Sequence, residues 1–357
     1  VTNITLQYFI QPSFWFNTAN IHRPHGENVH HSRTTHSDLI LVQTLALNEL
    51  GFTNYEKTKK GMTLPTKVPA TTSQGGQVFA FQSFLQTFSS PAQTFVINPS
   101  RRTTVVGQQG TRLTFYPGSF VDHLGKTQTE NVTLRLTEVF AKDGIIFSGL
   151  PTTCEDRVLE SAGQFRLEAT ANNAGLSLRK EVTIELPIPD HVNNSMAMHL
   201  FQGSQSSTRA FRSGYNFDWQ QAETKPLTLV KSMGRRYFQF SIDRLNWWNC
   251  HSFYKARHKA MLSIKMDTYI EEFEDKLAFL IFKDINSVVR MYPMGHRFSA
   301  MHIPTQMSVS ILVMAYAKQQ LYLGETDILR TSNTMLRLPI YPISEGDLIE
   351  HLKGLGQ

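Results

Sequence analysis

Between Thr94 and Pro187 apolar and polar residues alternate with a period of two more regularly than elsewhere in the chain. That period suits a strand with one buried and one wet face and does not suit a helix. Val132, Leu134 and Leu136 alternate with Thr133, Arg135 and Thr137. Phe165, Leu167 and Ala169 alternate with Gln164, Arg166 and Glu168, and Val182, Ile184 and Leu186 with Glu181, Thr183 and Glu185. Asn172-Asn173-Ala174-Gly175 separates the last two runs and supplies residues that tolerate the positive φ of a reversal. From Gly107 to Phe120 the residues read as a glycine-bounded turn, a short strand and a Pro117-Gly118 turn leading to an aromatic plug. The stretch reads as a β-meander.

Beyond it, Phe238, Phe240 and Ile242 share one face, and Leu262, Ile264 and Met266 repeat the alternation. Ala278 to Phe282 and Ser308 to Ala317 are short and apolar throughout, as strands covered on both faces are. Two such strands imply a second sandwich core. Met198 to Phe201 reads as a strand and Gly203 to Gly214 as a loop. At the C-terminus Ser344 caps a helix with Asp347 three residues on, and Ile343 and Leu348 stand where a hydrophobic staple sits. Leu348, Ile349, Leu352 and Leu355 line one side of that helix.

The first ninety residues are less regular. Ile4 to Ile10 alternates like an edge strand, Phe14-Trp15-Phe16 is an apolar anchor, and Asp38 to Leu50 fits a short helix about as well as a strand. Thr63 to Gly76 reads as a linker. Pro187-Ile188-Pro189-Asp190 places a domain boundary. The expected architecture is mainly β: two antiparallel β-sandwich-like domains with an irregular N-terminal extension and a C-terminal helix. Residues 1–90 form the extension and linker, 91–190 the first sandwich module and 191–357 the second β domain.

Charged residues make up 18% of the 357-residue chain, below the roughly 25% typical of soluble domains, with hydroxyl and amide side chains in their place. That balance suits a β-rich protein outside the cytoplasm. The formal net charge of +6 is dispersed. Lys57-Thr58-Lys59-Lys60 is the only basic run, so the cation cluster of a nucleic-acid binder is missing. No apolar run reaches the roughly 18 residues needed to span a bilayer. The chain opens on Val1, so membrane association is left to a lipid anchor or leader ahead of it. Cys154 and Cys250 lack a CxxC partner and either pair or stay as buried thiols.

Few side chains suggest chemistry. His22, His25, His30, His31 and His36 are metal-ligand types on a polar segment, without the Glu of a HExxH helix or a Cys partner, and no metal or cofactor is assigned to them. Glu271-Glu272-Phe273-Glu274-Asp275 lacks the glycine and alternating oxygens of a calcium loop and reads as a charged hairpin tip. Trp15, Trp219, Trp247 and Trp248 are the residues able to stack on sugar rings. Asn3, Asn131 and Asn193 head glycosylation sequons.

Phe95-Val96-Ile97, Gly110-Thr111-Arg112-Leu113, Pro117-Gly118-Ser119-Phe120-Val121-Asp122, Gly149-Leu150-Pro151 and Leu159-Glu160-Ser161-Ala162-Gly163-Gln164-Phe165 together resemble a β-sandwich module of Bacteroidetes envelope and secreted proteins. In outline that module is similar to the ZU-type sandwich of zonula occludens and netrin-receptor proteins. The resemblance covers roughly residues 93 to 203 and, more loosely, Leu245 to Cys250 and Phe282 to Val288. It implies a fold and an envelope or extracellular location, with no catalytic residue carried over. Some ZU-type sandwiches cut themselves at His-Phe-Ser. Here His296-Arg297-Phe298-Ser299 carries an inserted arginine, and a plain turn into a strand is the stronger reading. The family pattern favours an aspartate after Trp-x-Asn, where this chain has Cys250-His251.

The expected function is therefore that of a non-catalytic structural or interaction subunit of a bacterial envelope or extracellular assembly. It would contact protein partners or its own copies through sheet edges and the N-terminal extension. The alternative is a glycan- or ligand-binding surface protein.

Overall fold

The computed structural model describes residues 79–357 except 156, 191, 193–194, 206–216, 223–225, 233 and 357. The expected edge strand, apolar anchor, linker and histidine segment of the first 78 residues lie outside the described residues.

The chain is mainly β, built from antiparallel sheets with one C-terminal helix. The first strands are β1 (Gln93–Ile97), β2 (Thr103–Val106), β3 (Arg112–Phe115), β4 (Phe120–Val121) and β5 (Val132–Val139). There follow β6 (Thr153–Cys154), β7 (Arg157–Ala171), β8 (Ala174–Gly175), β9 (Ser177–Leu178) and β10 (Val182–Pro187). Then come β11 (His199–Gln205), β12 (Phe217–Gln221), β13 (Thr228–Ser232), β14 (Arg235–Ile242) and β15 (Trp247–Phe253). One sheet runs β1-β5-β7-β15-β11-β12, and the sheet facing it runs β13-β14-β10-β3-β2. Between them lies one core, with Leu134, Leu136, Phe165 and Leu167 from the first sheet and Leu113, Ile184, Leu186 and Phe238 from the second. The alternating residues of the meander are the ones buried there, which is what a half-wet strand requires.

The second sandwich is made of β16 (Lys259–Asp267), β17 (Asp275–Phe282), β18 (Val288–Arg290), β19 (Tyr292–Met294) and β20 (Arg297–Pro304), with β21 (Val309–Ala317), β22 (Gln320–Ile328), β23 (Thr334–Pro339) and β24 (Tyr341–Ile343). Its sheets run β19-β20-β16-β23 and β18-β17-β21-β22-β24. β16 and β23 run parallel. The two apolar strands anticipated at 278–282 and 308–317 pair along their length, Ala278 with Val313 and Leu280 with Ile311.

The boundary expected near residue 190 falls inside the first sandwich. Val182–Pro187 pairs with Tyr237–Ile242, and Phe165 and Gln164 with Trp248 and Asn249, so strands from both sides of the cut share sheets and core. Pro187 still pairs with Tyr237 and the Ile188 N–H donates to the Arg236 carbonyl, so the ladder stops only at Pro189, and the sheet is completed from further down the chain. The change of core comes between Phe253 and Lys259. Gly203 to Gln205, read as loop from their composition, extend β11 and pair with Phe217–Trp219. A Cβ at Gly203 would lie 2.7 Å from the Phe217 ring, so the residue without a side chain fits under that ring.

β7 belongs to both bodies. Its Val158 packs into the second core, while Phe165 and Leu167 pack into the first. Asn286 fixes the seam by donating from Nδ2 to the carbonyls of Phe140 (2.8 Å) and Ser161 (3.0 Å), and its own carbonyl accepts from Ser161 N. Thr152 adds a hydroxyl contact to Ser287 (2.8 Å) and accepts from Val288 N (2.8 Å). Buried polar groups matched in this way hold one relative orientation.

Residues 79–88, assigned from sequence to the irregular extension, are docked on the second sandwich. Helix Phe81–Gln86 buries Phe81 and Leu85, Phe79 stacks on Tyr316 with centroids 3.9 Å apart, and Asp275 Oδ2 accepts from Phe81 N. A second short helix, Lys142–Ser148, buries Ile145, Ile146 and Phe147 and ends on Gly149 at φ 68°. The terminal helix, Glu345–Gly354, follows the sequence expectation. Ser344 Oγ accepts from Asp347 N, and Leu348, Ile349 and Leu352 are buried. Ser344→Ala should cost about 0.5–2 kcal/mol in urea unfolding, the usual effect of losing an N-cap. Among the described residues no helix is long and apolar enough to cross a membrane.

Candidate functional site

Among the described residues, those singled out for chemistry are taken up by structure. His296 Nε2 lies 2.7 Å from the carbonyl of Glu271, while Ser299 Oγ hydrogen-bonds Ser263 Oγ at 2.9 Å from within β20. The imidazole and the hydroxyl thus have separate partners among the described residues. The acidic run 271–275 is an inter-sheet connection from β16 to β17 and not the expected hairpin tip, because the two strands lie in different sheets. Glu274 accepts from Lys318 N and Asp275 from Phe81 N and Lys276 N, so these carboxylates cap backbone donors.

Trp219 and Trp248 are almost fully buried, with indole N–H groups donating to the carbonyls of Pro151 and Arg244, and Trp247 is buried as well. None of the three offers a face to a sugar, and Trp15 lies outside the described residues. Cys154 and Cys250 are both buried and form no disulfide, and burial pushes the Cys250 thiol far above its ordinary range. Among the described residues no group of three His, Cys, Asp or Glu side chains converges as a metal site. His22, His25, His30, His31 and His36 lie outside them. Asn131 is exposed ahead of β5.

A cleft of about 560 Å³ opens along the seam, lined by Gln109, Phe140, Lys142, Ile188, Asp284 and Leu355 among others. Lys142 reaches the carbonyl of Lys283 at 3.5 Å. Burial holds its amine below the usual lysine range, and the charge of Asp284 opposes that shift. The cleft lining holds no Ser, Cys or His. An amine beside a carboxylate in a mostly apolar groove can retain a small polar group.

Two buried polar features escaped the sequence reading. Glu138 is 1% exposed, and its carboxylate accepts from Gln109 N, Thr111 N and Gln93 Nε2, tying the glycine turn to β5. A Cβ at Gly107 would sit 2.3 Å from that carboxylate, so the glycine there is needed for close approach. His251 is fully buried between the rings of Phe201 and Trp219, which meet it edge to face at 5.3 and 5.4 Å. The sequence signal for Glu138 was a charged residue at an inward position of an alternating run, and for His251 a titratable residue in a strand buried on both faces. Their partners are backbone groups and rings that local sequence does not place.

The edges of the first sandwich have a different character. β1 ends one sheet and β2 ends the facing sheet, and the two are joined by the short segment 98–102. Neither Gln93–Ile97 nor Thr103–Val106 contains a charged residue or a proline. Val96 and Val106 are 65% and 52% exposed. Among the described residues no strand pairs with the outer side of either, and open, uncharged edges are templates for another strand.

No protein-family model, curated protein or solved structure matches this chain.

Proposed function

We propose that this chain is a non-catalytic structural or interaction subunit of a bacterial envelope or extracellular assembly, contacting protein partners or its own copies through sheet edges and the N-terminal extension. The observation that carries the reading is the pair of neighbouring uncharged edge strands, β1 and β2, which end both sheets of one sandwich. Proteins that stay apart blunt such edges with lysine, proline or bulges, whereas strand addition needs them open. The engagement of His296, Ser299, Glu274 and Asp275 in structural hydrogen bonds supports the non-catalytic part. The location rests on the low charge content and the envelope-module resemblance.

Lysines placed in both edges provide the test. In sedimentation velocity the wild type should show concentration-dependent assembly, and Val96→Lys/Val106→Lys should remain monomeric at the same loading with an unchanged circular-dichroism spectrum. A wild type that stays monomeric at the highest soluble concentration defeats self-association through these edges.

A further inference from the structure

The outer face of the β19-β20-β16-β23 sheet carries a pattern that packing does not explain. Register places Arg297 opposite Lys265 and Lys265 beside Arg337, so three exposed cations lie in one row across three strands, with Met294 next to Arg297 at the end of the row. The adjacent row is Tyr292, Ser299, Ser263 and Met335. Like charges directly opposite on neighbouring strands are destabilising. Among the described residues none of the three cations has an ion-pair or hydrogen-bond partner, and the nearest acid along β16 on that face is Asp267, one outward position further on. Met294 ends the row and Met335 stands in the adjacent one, and Met261 and Met301 lie four residues further along β16 and β20; the four are 43–65% exposed, out of twelve methionines in the chain.

Methionine is the side chain of adaptable apolar docking surfaces, since its thioether is flexible and polarisable. Neighbouring strands are about 4.8 Å apart, and side chains at i, i+3 and i+4 of a helix are about 5–6 Å apart. A helix laid across these strands would therefore present successive carboxylates to Arg297, Lys265 and Arg337 at nearly matching spacing, with its apolar side chains on the methionines. We infer that this face is a docking site for an acidic amphipathic helix of a partner protein. The inference rests on the reading of the chain as an interaction subunit and adds to it a face and a partner chemistry. Sugar recognition would call for an exposed indole, and a membrane-seated face for several exposed aromatic anchors, whereas the one aromatic in these two rows, Tyr292, is half-buried.

The probe is a labelled synthetic helix with glutamates at i, i+4 and i+7 and leucines beside them, followed by fluorescence anisotropy against the full chain. Wild type should bind it, with affinity falling as salt screens the charges. Lys265→Glu/Arg337→Glu should weaken binding at least tenfold and should bind the lysine-for-glutamate version of the peptide instead. Lys265→Glu alone should unfold at a higher urea concentration, because it sets an acid between Arg297 and Arg337 and both neighbouring pairs then attract; a merely structural role for the cations predicts the opposite. Met294→Ser/Met335→Ser should weaken binding with the salt dependence kept. Val96→Lys/Val106→Lys should bind as wild type does, so failure of the edge reading and failure of this one are seen separately. Equal affinity of wild type and the charge-reversed variant overturns the inference, and so does binding of phosphatidylserine vesicles in place of the peptide.

Discussion

Gly163→Ala is expected to lower stability by about 2–5 kcal/mol, read as a fall in the urea midpoint, because it combines backbone strain with overpacking. Gly163 sits in β7 at φ 143°, a conformation that residues with a Cβ rarely adopt. It pairs with Cys250 at the point where the register of β7 against β15 shifts between Cys250 and His251. A Cβ there would lie 2.6 Å from Phe140 Cε1, and the Phe140 carbonyl is in turn held by Asn286. Moving the ring aside would therefore disturb the seam between the two cores. At Gly175, on the exposed reversal of the meander, an added Cβ would meet nothing within 4 Å, and Gly175→Ala should change stability by only a few tenths of a kcal/mol. Equal effects at the two glycines would show that the bulge accommodates a side chain and that the seam is softer than its hydrogen bonds imply.

The same bulge illustrates what the sequence discloses. Alternation at 132–137, 164–169 and 181–186 located parts of Val132–Val139, Arg157–Ala171 and Val182–Pro187, because those parts bury one face and the hydrophobic effect writes a period of two into them; the earlier half of Arg157–Ala171 is buried on both faces and carries no such period. The continuous runs at 278–282 and 308–317 were legible as doubly covered strands for the same reason. What alternation does not carry is the choice of partner. Ile184 is paired with Phe240 across more than fifty residues, and the local prolines at 187 and 189 look like a boundary although the sheet continues beyond them. Serine, glutamine and glycine at 203–205 read as loop until Phe217 and Trp219 are placed beside them. The docking face was hidden in the same way: Lys265, Arg297 and Arg337 are dispersed charges in the sequence and become a row only through strand register. Edge strands are half legible, since Gln93–Ile97 is visibly uncharged, but its terminal place in a sheet is a property of topology.

His251 gives the chain a defined acid sensitivity. Enclosure between Phe201 and Trp219 removes its ring from water, and burial lowers its pKa from the usual 6.5 to about 3, with the Glu160 carbonyl opposing the shift. In the fold the ring is neutral above about pH 3, whereas in the unfolded chain it takes up a proton below about 6.5. The unfolded state thus binds more protons in that window. Stability from this residue is fully present above pH 6.5 and is lost as pH falls towards 3, at up to about 1.4 kcal/mol per pH unit and about 5 kcal/mol in all. Urea midpoints taken from pH 7 to pH 4 should fall accordingly. His251→Phe keeps an aromatic ring in the cage and has nothing to protonate, so its midpoint should fall less over the same range by about the His251 contribution. Because the ring nitrogens make no well-formed hydrogen bond, phenylalanine should cost little at pH 7. A His251→Phe variant with the wild-type pH slope would place the proton uptake elsewhere and would mean that water reaches the imidazole in the native state.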